Sequence, residues 1–171
     1  MQWQNAGTLD VSPFLSVDAA LEFRQKMGGE DRIMNYNHDL AVRGGKAAAK
    51  ILDTCVLDLP DNSLTACMVN VQLPIIKSRI GNDLTAWLMV ADSWLFDSLF
   101  KEFKTVLPIF EYRGKIWARF SAQIWLEVAD FEYGAKALLE LSNRINQGTA
   151  PDFRANAPVA TEAAVEAPID G

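Results

Sequence analysis

The sequence predicts an α+β fold in which helices cover one face of a small, mostly antiparallel sheet. Three observations carry this. From residue 54 onward the patterns run strand, strand, helix, strand, strand, helix. The strand-like runs come in pairs joined by short turns, which suits antiparallel neighbours. The helix between the two pairs is apolar over a very broad face and has to be covered.

The elements follow in order. Residues 1 to 14 hold Asn5, Gly7, Asp10, Ser12 and Pro13 and read as an irregular entry. Ser16 then suits a helix N-cap, with Asp18 in the first turn near the positive end of the helix. Gly28-Gly29 stops that helix. A second helix runs from near Glu30 towards Leu52, with Ile33, Tyr36, Leu40, Ala47 and Ile51 at helical spacing. Gly44-Gly45 inside it implies a kink or a close contact with another element. Cys55 to Leu59 reads as a strand, closed by a turn at Pro60-Asp61-Asn62-Ser63. Ala66 to Leu73 alternates, with Cys67, Val69, Val71 and Leu73 on one face and Met68, Asn70 and Gln72 on the other.

Asp83 or Asn82 caps a long helix from about Leu84 to Lys104, carrying Trp87, Trp94, Leu95, Leu99 and Phe103, and its breadth of apolar surface implies burial on more than one side. Val106–Tyr112 and Lys115–Trp125 form two strands around an Arg113-Gly114 turn. Asp130 caps a last helix to about Asn146. After Gly148 the chain is rich in Ala, Pro and Glu and reads as a disordered tail over 148–171.

Composition removes several classes of function. The chain has 171 residues and a formal charge of −6, and its basic residues form no run. Such a surface repels nucleic acid and gives no attraction to anionic membranes. No stretch has the length of a membrane span, and residues 1 to 13 have neither the basic nor the apolar region of a secretory signal. The expected location is cytoplasmic. Cys55 and Cys67 form no CxxC. They read as plain buried cysteines, with a disulfide left open. One histidine and two cysteines do not make a zinc site. His38, within the second helix, reads as a surface or half-buried residue. No glycine-rich phosphate loop and no G-x-S-x-G occurs. Five Trp and nine Phe are more than one small core needs and suggest surfaces that meet a partner.

Several blocks resemble one family. Lys115-Ile-Trp-Ala-Arg-Phe-Ser-Ala-Gln-Ile-Trp-Leu-Glu-Val-Ala-Asp-Phe-Glu is similar to the R-x-S-x-x-x-Y-N-x-x-x-D signature near the C-terminus of class V aminotransferases and cysteine desulfurases. Asn5-Ala-Gly-Thr-Leu-Asp and the Ser-Pro-Phe-Leu-Ser-Val-Asp-Ala-Ala-Leu-Glu-Phe that follows resemble a second block of that family. Gly28-Gly-Glu, Tyr36-Asn37 and Met68-Val-Asn-Val-Gln-Leu-Pro look like its isopenicillin N epimerase and hercynylcysteine sulfoxide lyase branch. The resemblance covers about residues 4 to 146.

The resemblance implies a C-terminal portion of an enzyme that depends on pyridoxal 5'-phosphate (PLP) and acts on an amino acid by epimerisation, transamination or C–S cleavage. Residues 1–52 would be a remnant of the large cofactor domain, and 53–147 the small C-terminal domain. Arg119 matches the arginine that holds the substrate α-carboxylate. A planar guanidinium suits that role because it gives a carboxylate two parallel hydrogen bonds. Strand alternation puts Arg119, Ser121 and Gln123 on one face, as it would for a merely solvent-facing arginine. Thr8, with Gly7, matches the threonine that reaches the cofactor phosphate of the neighbouring subunit in family dimers; an ordinary turn would use the same residues. Trp125-Leu126 departs from the family's Tyr-Asn. The Schiff-base lysine of the family lies upstream of the block that begins at Asn5, and no lysine here has its context. The chain alone is therefore expected to be inactive, and to work as a homodimer or beside a full-length relative. The alternative is a non-catalytic protein that binds such a relative. A third is an unrelated small α+β domain.

Overall fold

The structure, a computed structural model, describes residues 12–81 and 83–153. It is α+β, as the strand and helix order predicts. Among the described residues six helices and three strands occur: α1 Ser12–Leu15, α2 Val17–Lys26, α3 Glu30–Leu52, β1 Met68–Gln72, α4 Lys77–Ile80, α5 Leu84–Phe103, β2 Ile109–Tyr112, β3 Lys115–Ser121 and α6 Val128–Gln147. The sheet is antiparallel with β3 in the centre, in the order β1-β3-β2. Val69, Val71, Ile116, Ala118 and Phe120 point to the helical side and are buried.

α3 packs along α6 and against β1. Its two glycines explain the closeness. A Cβ at Gly44 would lie 2.5 Å from the Phe131 ring, and one at Gly45 would lie 2.6 Å from Val69 Cγ2. The helix runs through the pair unbroken, so close contact is the outcome and no break occurs there. The second half of α3, grouped by sequence with residues 1–52, lies in one core with the sheet: Leu40, Ala48 and Leu52 pack in the same cluster as Val71 and Leu138. Phe120 and Phe131 stack at 5.5 Å between ring centres and join β3 to α6.

Several boundaries shift from expectation. The run from Cys55 to Leu59 makes a single bridge, Val56 to Val71, because the chain turns away into a loop. That loop is organised by Asp58, whose carboxylate accepts from the N–H of Leu59 and Leu64 and from the Thr65 hydroxyl. β3 stops at Ser121, short of the expected Trp125. Asp83 caps α5 by accepting from Ala86 N–H at 2.9 Å. Ser16 precedes α2 without capping it through its side chain; its hydroxyl donates to the Pro13 carbonyl at 2.9 Å. The N-cap of α6 is Glu127. Asp130 sits three residues in and completes a reciprocal capping box. The expected burial of α5 on more than one side is not met among the described residues: Met89, Phe96 and Phe100 are exposed, with the last two stacked on each other.

The composition of 148–171 suggests a tail that starts at 148, yet residues up to 153 pack. Phe153 is buried against Trp87 and Trp94 of α5, each ring pair 5.5 Å between centres. One aromatic residue offsets the ordering of a short polar stretch, a detail that average composition hides. Neither cysteine is buried as expected. Both are free, and Cys55 is exposed with its thiol donating to Gln72 Oε1.

Candidate functional site

Arg119 is the fifth residue of β3, on the sheet face away from the helices. Its backbone N–H donates to the Pro108 carbonyl at 2.9 Å, which fixes the strand against the segment entering β2. The side chain is exposed, between buried Ala118 and buried Phe120. The strand is rigid at this point because the next inward residues fill the core. The guanidinium therefore rests on an ordered base.

Asn70 on β1 lies directly opposite Arg119. The Asn70 carbonyl accepts from Leu57 N–H on the far side of β1, and Arg119 N–H points towards β2. The two residues thus form a non-hydrogen-bonded pair, the arrangement in which facing side chains stand closest, with Cβ atoms roughly 4.5–5.5 Å apart. The Asn70 Oδ1 is buried and has no hydrogen-bond partner. The Arg119 guanidinium has neither a hydrogen bond nor an ion pair among the described residues. On the same face Trp117 is buried, with Nε1–H donating to the Tyr112 carbonyl at 3.1 Å. It walls one flank of the arginine. Ser121 stands on the other flank.

A cleft of about 170 Å³ lies between β3, the segment entering β2 and the start of α6, with Arg119 at its rim and Leu107, Pro108, Phe120, Leu126, Asp130 and Phe131 in its lining. The carboxylate of Asp130 is engaged elsewhere, accepting from Glu127 N–H at 2.7 Å. It leaves the arginine's charge uncompensated. Tyr36 of α3 holds the cleft's far lip by donating to the Leu126 carbonyl at 2.6 Å. Trp125, standing where the family signature has tyrosine, is 73% exposed. An unpaired guanidinium on a rigid strand can bind a carboxylate through two charge-assisted hydrogen bonds.

The fit to PLP is a different matter. All eight lysines are exposed on helices, turns or the end of a strand, and none enters an enclosed pocket. The cleft is well below the roughly 300–1,000 Å³ of a site that encloses a small organic ligand. The described residues do not make a PLP cradle. Gly7 and Thr8, the two phosphate-side residues implied by resemblance, lie outside the described residues. His38 is exposed on α3, with Nδ1 2.9 Å from the Thr65 carbonyl, and takes no part in the cleft. Among the described residues no group of His, Cys, Asp and Glu could hold a metal ion. No helix among them is long and apolar enough to cross a membrane. Sequence reading singled out Arg119 but gave Asn70 no role; its place on the polar face of an otherwise apolar strand was the signal.

Fold and site together describe a small α+β domain that carries an unpaired arginine on its open sheet face. No protein-family profile matches the chain. It is similar to two curated groups of proteins. It is 37% identical over 156 residues to an L-cysteine desulfhydrase-like protein of Epichloe uncinata, an alignment covering 81% of this chain and 34% of that protein. It is 30% identical over 135 residues to the hercynylcysteine sulfoxide lyase of Schizosaccharomyces pombe, covering 78% of this chain and 30% of the lyase. The chain spans about a third of the length of these relatives. The similarity, over about four fifths of this chain, agrees with the resemblance to PLP-dependent class V-type enzymes carried by its sequence blocks.

Proposed function

We propose that this chain supplies the carboxylate-binding part of a PLP-dependent enzyme of the C–S lyase type. The substrate class is a sulfur-containing amino acid. The observation that carries the reading is Arg119: fixed on the central strand, exposed, and without an anionic partner among the described residues. The relatives' names, a cysteine desulfhydrase-like protein and a sulfoxide lyase, support the substrate class. PLP would supply the electron sink for C–S cleavage. The eight exposed lysines support the view that the lysine-bearing half comes from another stretch of protein. Arg119 would grip the α-carboxylate and so fix which bonds at Cα stand in line with the cofactor.

The test is steady-state kinetics of the active assembly carrying Arg119→Ala. The expected result is a rise in substrate KM of about 100-fold, because in the assembly the cofactor-bearing part would enclose the pair and the carboxylate would lose its charged partner. Arg119→Lys restores little of it, since a lysine cannot give the paired hydrogen bonds. An unchanged KM removes Arg119 from the site.

A second reading has its own support. α1 and α2 contain no buried residue, yet Phe14 is 78% and Leu15 77% exposed, with Leu21 and Phe23 beside them. Apolar surface of this kind marks a docking face. The chain would then be a non-catalytic subunit seated on a full-length relative, or half of a homodimer. Equilibrium dialysis with PLP separates the readings. PLP retained by the chain alone would overturn the view that the lysine half is elsewhere. Retention by a full-length relative that changes when the chain is added favours the subunit reading.

A further inference from the structure

We infer that Asn70 is the positioning residue for Arg119, holding its guanidinium so that the outer edge of the fork faces the substrate carboxylate. The inference rests on the carboxylate reading of Arg119 and extends it. Two orphan groups stand opposite each other on one sheet face. Asn70 Oδ1 is a buried acceptor with no partner. Arg119 is a five-donor group with no acceptor among the described residues. The register places them as a directly opposed, non-hydrogen-bonded pair, where side chains approach most closely.

A buried carbonyl oxygen without a donor is costly, and such atoms in folded proteins usually have a use. Arg119 can meet that need at no cost to its own role. A carboxylate occupies two of the five N–H groups, so the inner edge retains donors for Asn70. With Asn70 Oδ1 accepting on one edge, the opposite edge of the fork would be left for the carboxylate. The carboxamide is neutral, so it orients the arginine without cancelling its charge. A carboxylate at position 70 would orient it equally well but would compete with the substrate as the anion. The neighbouring positions on the same strand face do not offer this: Gln72 Oε1 is already taken by Lys115 Nζ at 2.9 Å, and Met68 has no oxygen.

The experiment is an NMR titration of the full 171-residue chain. The probe is S-methyl-L-cysteine, and the Arg119 Nε–Hε signal is followed. Arg119→Lys, which lacks the signal, assigns it; wild type, Asn70→Ala, Asn70→Ser and Asn70→Asp are then compared, with backbone spectra to show that each folds. In the wild type the signal should shift saturably. Asn70→Ala should weaken apparent affinity by about tenfold, the worth of one hydrogen bond to a charged group. Asn70→Ser, which keeps an acceptor oxygen, should recover part of the loss. Asn70→Asp should bind most weakly of the position-70 variants, although it is the closest in shape. A structural role alone would rank Asp above Ala, so the inverted order is the diagnostic. Saturable binding in the wild type with affinity unchanged in all three Asn70 variants overturns the positioning role and leaves the clamp standing. No response in the wild type overturns the clamp, and the positioning role falls with it.

Discussion

At the scale of single residues the sequence is informative where a side chain has one feasible place. Arg119 sits on the strand face that alternation assigns to it: Lys115, Arg119 and Ser121 are exposed and Ile116, Ala118 and Phe120 buried, with Trp117 the one buried residue on the outer face. Asn70 was equally placed by alternation but not by role; its meaning depends on which residue stands opposite, and register is a property of two strands. Gly44 was legible as an irregularity and needed the fold to say which kind. The Gly44→Ala variant is expected to lower stability by about 1–3 kcal/mol, since the methyl group would meet the Phe131 ring. Helix propensity alone would favour alanine by about 1 kcal/mol, so a urea midpoint higher than wild type would refute the close-packing account. Phe153→Ala is expected to cost about 3 kcal/mol by removing a buried ring from between two tryptophans. Urea denaturation measures it, and a cost near zero would return residues up to 153 to a free tail.

At the scale of elements the ends were harder to read than the middles. The last helix was expected to start on Asp130, a good cap by residue type. The structure starts it on Glu127 because the reciprocal box uses both carboxylates. Asp130→Ala should therefore destabilise the chain by about 1 kcal/mol even though the residue lies inside the helix. The residues of the Asp58 loop predict a strand and turn. Its β-branched and apolar residues suit a strand, but the carboxylate at its centre gathers three donors and bends the chain around itself.

Burial pushes the Asp58 pKa upward. The hydrogen bonds from Thr65, Leu64 and Leu59, with attraction from Lys46, outweigh it, and the carboxyl is held below its ordinary value. A depressed value means the folded state favours the charged form. The stabilisation is present above the unfolded carboxyl value of about 3.9, and is lost as pH falls through it towards the lower folded value. Amide exchange of Leu59 and Leu64 should accelerate relative to the rest of the chain in that acid range. In Asp58→Asn the relative rates should stay flat with pH. An equally steep acid response in that variant would assign the effect to another group.

At the scale of the whole molecule, several of the many aromatic residues lie outside the core: Phe14, Phe23, Phe96 and Phe100 are exposed. The sequence could not say which helices would carry such exposed surface, since an apolar stripe looks the same whether it faces its own sheet or another body. α5 turns out to divide: Trp87, Leu95 and Leu99 face inward, while Met89, Phe96 and Phe100 face out. α2 has nothing inside at all. Leu21→Glu with Phe23→Glu should leave the melting temperature of the chain within the small range typical of surface changes, because no core contact is lost. The same pair should weaken association with a full-length relative, read by size-exclusion chromatography. Retained association would move the docking face elsewhere, with the outer stripe of α5 the next candidate.

The long helix α3 joins these scales. It spans 23 residues, or about 35 Å of axis. Its far end is clamped between α6 and β1 through the two glycines, while its near end, with Met34 exposed, stands beside α2. It is in effect a stiff handle on the sheet. Whatever grips the handle sets the bearing of Arg119, and a tilt of about 5° over that length displaces one end by about 3 Å against the other. On the proposed reading of Arg119, aim at a carboxylate would be decided a full helix away from the guanidinium.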